Sequence, residues 1–182
     1  MFERICLVHY HEIGLKGRNR AIFENRLLKN MEAALSVYPT SEIRRISGHL
    51  LVVVDDAKRL QEVADVLRMI PGIVRVSQGW RCARKEDEFC KAAELALMDC
   101  GPFETFKVAA RRSNTDYPID SMQLNQIVGA HLCQFAPDKK VKMKDPDVKV
   151  HVHVIQGHVY VFAKSQVAVG GLPVGSAGKV VS

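Results

Sequence analysis

The chain has 182 residues, 47% hydrophobic and 25% charged, with a net charge of +6. That length suits one large domain or two small ones, and that balance suits a globular protein rather than a fibrous or disordered one. No apolar run approaches the ~20 residues of a membrane span, the first residues lack the layout of a signal peptide, and the five cysteines include no C-x-x-C pair, which points to a cytoplasmic protein without a membrane partner or a zinc finger.

Residues 4–9 predict a strand. From residue 19 to 38, Phe23, Leu27, Met31, Ala34, Leu35 and Tyr38 recur at helical spacing, and Pro39 ends the pattern. Two strands follow at 42–47 and 50–54, with Gly48 at the turn. A second helix carries Leu60, Val63, Ala64 and Leu67 on one face and stops at Pro71-Gly72. A strand at 73–78 completes the order βαββαβ, the ferredoxin-like arrangement. The second part opens near residue 81. Residues 86–99 read as a helix and 105–111 as a strand. Asp120, with Gln123 three residues on, reads as the capping box of a helix reaching Phe135. Four lysines fall within residues 139–144. Segments 148–155 and 159–164 form a hairpin around Gln156-Gly157. Residues 170–179 have linker composition, and Val180-Val181-Ser182 reads as the start of another strand. The fold class is α+β: a ferredoxin-like domain over 1–80, an α/β domain over 81–166, and a linker over 167–182.

The positive excess is evenly spread, with 12 Lys+Arg against 9 Asp+Glu up to residue 80 and 14 against 11 beyond it. It permits a nucleic-acid partner without requiring one. Three segments give that partner something to touch. On the strand at 105–111, Phe106, Val108 and Ala110 share one face and Lys107, Ala109 and Arg111 the other. An apolar face fixes the strand, and an exposed guanidinium grips phosphate, with Arg112 at the strand end. Lys140, Lys142 and Lys144 alternate with Val141 and Met143 in a basic loop suited to backbone phosphates. Lys16, Arg18 and Arg20 surround the start of the first helix, where free N–H groups favour anions. Each of the three also suits an ordinary solvated surface.

Other motifs fail. Gly175-Ser176-Ala177-Gly178-Lys179-Val180 lacks the first glycine and the final Ser/Thr of a phosphate loop. His9 with His11, and His151 with His153, share strand faces, but no carboxylate or thiol is spaced to complete a metal site. No nucleophile, base and orienting group assemble into a catalytic set.

Several segments together resemble the N-terminal half of the tRNA 4-thiouridine synthetases (tRNA uracil 4-sulfurtransferases, also linked to thiamine biosynthesis). They are Tyr10-His11-Glu12-Ile13-Gly14-Leu15-Lys16-Gly17-Arg18-Asn19-Arg20, Ile70-Pro71-Gly72-Ile73, the run from Thr105 to Arg112, Asp145-Pro146-Asp147-Val148, and Gly170-Gly171-Leu172-Pro173-Val174-Gly175-Ser176. The resemblance implies a ferredoxin-like domain and a THUMP RNA-binding domain that hold the acceptor stem and 3′ CCA end of tRNA. It implies Lys16, Arg18, Arg20, Lys107, Arg111, Arg112, Lys140, Lys142 and Lys144 on phosphates. Asn125 and Gln126 would meet the unpaired 3′ end, whose bases expose their edges. It also implies a following ATP-pyrophosphatase domain, absent here, that uses ATP and Mg to adenylate a uridine. Sulfur would come from a cysteine desulfurase, and a homodimer is possible. This chain then carries no cofactor and no catalytic residue of its own and is inactive alone. The alternatives are the RNA-binding region of another THUMP-containing tRNA-modifying enzyme, or a regulatory or protein-interaction module that binds no RNA.

Overall fold

The computed structural model describes residues 1–10, 18–113 and 115–171, with Arg18 known by its backbone only. Its contacts divide the chain into two units: residues 4–78 with the segment from 165 onward, and residues 1–3 with 79–164.

The first unit contains β1 (Glu3–Tyr10), α1 (Arg18–Ala34), β2 (Thr40–Ile46), β3 (His49–Val54), a 3-10 turn at Ala57–Arg59, α2 (Leu60–Arg68) and the beginning of β4 (Ile73–Ala83). Its strand order is β2-β3-β1-β4. β3 runs antiparallel to both neighbours, with Cys6 opposite Val52 and Ile46 opposite His49. Alternate residues of β1 and β3 (Cys6, Val8 and Tyr10 with Leu50, Val52 and Val54) pack against Phe23, Leu27 and Met31 of α1 and Val63, Ala64 and Leu67 of α2. Period two in the strands meets period 3.6 in the helices, and the core is the surface where they coincide. The hairpin between β2 and β3 turns on Ser47 and Gly48, both at positive φ, as a two-residue turn matched to strand twist requires.

α1 ends four residues earlier than its pattern predicts. Tyr38 precedes Pro39, a position that disfavours helical backbone. The chain tightens from Leu35 onward, with Ser36 N bonding Ala33 O at 3.4 Å and Tyr38 N bonding Leu35 O at 2.9 Å. Leu35 keeps its buried place.

The second unit contains the rest of β4, α3 (Glu86–Met98), β5 (Thr105–Arg112), α4 (Ser121–Phe135), β6 (Lys140–Val141), β7 (Val148–Ile155) and most of β8 (His158–Val167). Its strand order is β4-β8-β7-β5-β6, with β5 parallel to both β6 and β7 and β7 antiparallel to β8. Phe106, Val150, Val152, Val154, Val159 and Val161 meet Phe89, Ala93 and Leu97 of α3 and Leu124, Val128 and Leu132 of α4. Asp120 caps α4, accepting from Gln123 N at 2.8 Å while Gln123 Oε1 accepts from Asp120 N at 3.0 Å.

β4 runs five residues past its predicted end. Gly79 keeps it going, because a Cβ there would lie 2.3 Å from the Val161 carbonyl oxygen and 2.6 Å from Phe162 Cβ. Only a glycine lets the two backbones approach so closely. β8 also runs past its predicted end. Beyond it, Ala168 N bonds Val74 O at 3.0 Å, Val169 N bonds Arg68 O at 3.0 Å, and Gly170 N bonds Ile73 O at 2.7 Å. Gly72 N in return bonds Gly170 O at 2.8 Å. Residues 168–170, expected as linker, thus line the start of β4 in the first unit. The rest of the expected linker and the terminal strand, 172–182, lie outside the described residues.

Candidate nucleic-acid interface

The pleat predicted for β5 holds: Phe106 is buried and Arg111 is exposed. Parallel pairing with β7 sets Lys107 beside Lys149, Ala109 beside His151 and Arg111 beside His153. Paired residues of adjacent strands point to the same face, so the row of cations gains Lys149, which is exposed. The alternation Val148-Lys149-Val150 carries that signal, but the strand partner that gives it meaning is not visible in one sequence. His151 and His153 are packing residues: His151 stacks on Phe162 with ring centroids 4.8 Å apart, and His153 meets the same ring edge-on at 5.1 Å.

The basic segment is a short strand and a tethered loop rather than a free loop. Lys140 N bonds Glu104 O, and Lys142 N bonds Phe106 O, each at 3.0 Å. Lys107 Nζ donates to Met143 O at 2.9 Å. Where the loop rejoins β7, Asp147 Oδ2 accepts from the amides of Glu104 and Thr105 at 3.0 and 2.9 Å, and Asp147 N donates to Thr105 Oγ1 at 3.0 Å. The Thr105 and Glu104 amides hold the Asp147 carboxyl below its ordinary pKa, because they bond its charged form. This clamp is what the Asp145-Pro146-Asp147-Val148 segment builds, with Asp145 at a φ of 49° as the chain turns. Lys140, Lys142 and Lys144 are exposed and make no ion pair among the described residues, whereas Lys139 is held by Asp138 at 3.0 Å and lies 5.4 Å from the Phe103 ring centroid. Lys140 and Lys142, two residues apart on the tethered stretch, are about 7 Å apart, and Lys144 follows in the bend.

The other expected contacts divide. Lys107 is committed to the loop, and Arg112 Nη1 to the Tyr117 carbonyl at 2.6 Å, so both position the neighbouring cations rather than standing free. Asn125 Oδ1 accepts from Ala110 N at 2.8 Å, which ties α4 to β5 and leaves the carboxamide nitrogen for another partner. Gln126 is exposed on α4.

In the first unit, Lys16, with the segment 11–17 around it, lies outside the described residues, and Arg18 opens α1. Arg20 is partnered within the fold, with Nε 2.9 Å from Glu24 Oε1 and Nη2 3.3 Å from the Tyr10 hydroxyl, while its side chain stays 39% exposed. Tyr10 also donates to Glu24, and Arg45 Nη1 lies 3.3 Å from Glu24 Oε2. Glu24 is 7% exposed. Burial pushes its pKa up, but the bonds from Tyr10 and Arg20 and the charges of Arg20 and Arg45 outweigh that and leave it lowered. Burial, helped by the bond to Glu24, pushes the Tyr10 hydroxyl up to about 12. A buried carboxylate needs such partners, and nothing in a helical pattern reveals that Arg20 will be one of them.

Residues 5–77 match the family model of the ThiI ferredoxin-like domain, and residues 83–164 that of the THUMP domain. A probable tRNA sulfurtransferase of Moorella thermoacetica is 38% identical over 95% of this chain and 44% of its own length, and one of Listeria innocua is 36% identical over 99% and 44%. The chain thus spans about half the length of the curated relatives it matches. Among solved structures, a 4-thiouridine synthetase crystallised with RNA and bound ATP superposes with a TM-score of 0.84 at 30% identity, over 96% of this chain and 44% of that one.

Proposed function

The chain belongs to the ThiI ferredoxin-like and THUMP domain families, and we propose that it is the tRNA-binding, substrate-recognition region of a tRNA 4-thiouridine synthetase. The observation that carries this reading is the tethered edge at Lys140, Lys142 and Lys144, continued by Lys149 and Arg111, where these side chains are exposed and make no ion pair among the described residues. Exposed cations on a tethered backbone suit a polyanion and grip phosphates irrespective of sequence. The acceptor stem rests on this edge, and the unpaired 3′ CCA end meets α4 at Gln126 and the free nitrogen of Asn125. Lys16 and Arg18 add to the stem contact at the start of α1. Arg20 holds that helix in place.

In the whole enzyme, ATP and magnesium belong to the part of the relatives that this chain does not span, and none of this chain's residues is assigned to them. A cysteine desulfurase as sulfur donor, a homodimer and a cytoplasmic setting complete the proposal. No helix among the described residues is long and apolar enough to cross a membrane.

The test is a gel-shift titration with whole tRNA and with tRNA lacking CCA, at several salt concentrations. Salt-sensitive binding, weaker without CCA, is expected. Absence of salt-sensitive binding would overturn the reading, and equal affinity for both RNAs would remove the CCA role from it.

A further inference from the structure

The loop after β5 closes over an arginine that it does not satisfy. Arg84 stands between β4 and α3, with its side chain 18% exposed. Its Nη1 donates to Asp116 Oδ2 at 2.7 Å, and its guanidinium carbon lies 5.6 Å from the Tyr117 ring centroid. Tyr117 is buried, and its hydroxyl donates to the Arg84 carbonyl at 3.4 Å, while Arg112 Nη1 holds the Tyr117 carbonyl. Nε and Nη2 of Arg84 are buried and have no hydrogen-bond partner among the described residues.

Nε and Nη2 form the side of a guanidinium that aims two N–H groups in one direction, the fork that takes two oxygens of one anion at once. Asp116 instead takes the remaining nitrogen alone. Buried donors without acceptors are unfavourable and rare in folded proteins, and a methionine of similar length would not carry that cost. Asp116 is 56% exposed, so its carboxylate can leave Nη1 for water. The bond from Arg84, helped by the charge of Arg112, holds the Asp116 carboxyl below its ordinary pKa. With Asp116 displaced, Arg84, Lys85 and Arg112 stand against Glu86. A ligand for the fork has to compete with a carboxylate that its own chain holds at high effective concentration. A second carboxylate gains nothing in charge over Asp116. A phosphate monoester does, with a charge of about −2 and three acceptor oxygens.

We propose that Arg84 is a phosphate-monoester site that Asp116 keeps closed. The loop shifts, the phosphate takes Nε and Nη2 together, the Asp116 carboxylate turns to water, and Arg112 adds its charge. The site lies beyond the Arg112 end of β5, whereas β6 pairs at the Thr105 end. It does not depend on the tRNA-binding reading, because a free phosphate compound and the 5′-phosphate of an RNA share the same chemistry.

The test titrates the chain with inorganic phosphate against sodium chloride of equal ionic strength, reading the Arg84 Nε–H resonance by NMR and the melting temperature. The resonance should shift saturably with phosphate alone, and phosphate should raise the melting temperature above the chloride control. Asp116→Asn removes the competing charge and should lower the phosphate midpoint about tenfold, the scale of one hydrogen bond to a charged group. Arg84→Lys keeps the charge without the fork and should lose the extra stabilisation by phosphate. An Arg84 resonance indifferent to phosphate, an unmoved midpoint in Asp116→Asn, or equal stabilisation of Arg84→Lys would each overturn the proposal. Should either variant fail to fold, the resonance in the unsubstituted chain decides. The same resonance separates the sources. A shift with tRNA bearing a 5′-phosphate and not with 5′-hydroxyl tRNA assigns the site to the RNA end, and no difference between the two RNAs assigns it to a free phosphate compound.

Discussion

The two halves of the chain carry the same positive excess and use it differently. Around α1, arginines are spent on a buried carboxylate: Arg20 and Arg45, themselves partly exposed, neutralise Glu24, and Tyr10 closes the group. Around β5 and β6 the backbone provides the fixing, through Asp147 and the amides of Lys140 and Lys142, and the lysine side chains are left outward. Net charge cannot separate these cases. A cation is available to a ligand only when the fold has another way of holding the chain that bears it.

That contrast can be broken at several points. The largest effect is expected from reversing Lys140, Lys142 and Lys144 together to Glu. Affinity for whole tRNA should fall on the order of a hundredfold, and the slope of log K against log salt should shrink by about 3. The urea midpoint should barely move, as for other surface changes. A collapse in stability instead would place these lysines in the fold. Glu24→Gln should do the reverse, lowering unfolding free energy by about 1–3 kcal/mol because a buried charge cluster loses its centre, with the salt slope retained. Arg20→Ala is a milder form of the same test: about 1 kcal/mol of stability, read in urea, and an unchanged salt slope. A slope reduced by about 1 would return Arg20 to the RNA surface.

The smallest effect concerns acid. The folded pKa of Asp147 is depressed, so its clamp contributes fully above the ordinary carboxylate value of about 3.9 and is lost as pH falls through its lower folded value. Asp147→Asn should therefore lower the urea midpoint at pH 7, and the gap to the unsubstituted chain should narrow toward pH 3. A constant gap would show that the carboxylate charge is not what the clamp uses.

Much of the fold was legible because it rests on local period. The element order, the Asp120–Gln123 cap and the Gly48 and Gly157 turns are written in short stretches of sequence. The overrun of α1 has a local cause in Pro39, and the other errors come from a partner distant in the chain. β4 reads as stopping at Gln78 because Gly79 looks like a breaker until Val161 is beside it. The site shows the same limit. Arg111 could be picked out as exposed by the pleat of its strand, and Lys140, Lys142 and Lys144 by their density in a basic segment whose Val141 and Met143 are exposed as well. Lys149 needed the β5–β7 register, and the pairing of Arg20 needed a carboxylate four residues on to be buried against Tyr10.

The bonds from residues 168–170 to the start of β4 also bear on how the molecule is made. In sequence, the THUMP unit is an insertion within the ferredoxin-like one. A ribosome that has completed the first 80 residues has left the edge of β4 bare, and that edge waits for about ninety more residues before its own partner emerges. During synthesis the THUMP unit is therefore complete in chain before the unit that precedes it, and a cut at the apparent domain boundary would release a ferredoxin-like piece with an exposed strand rather than a finished domain.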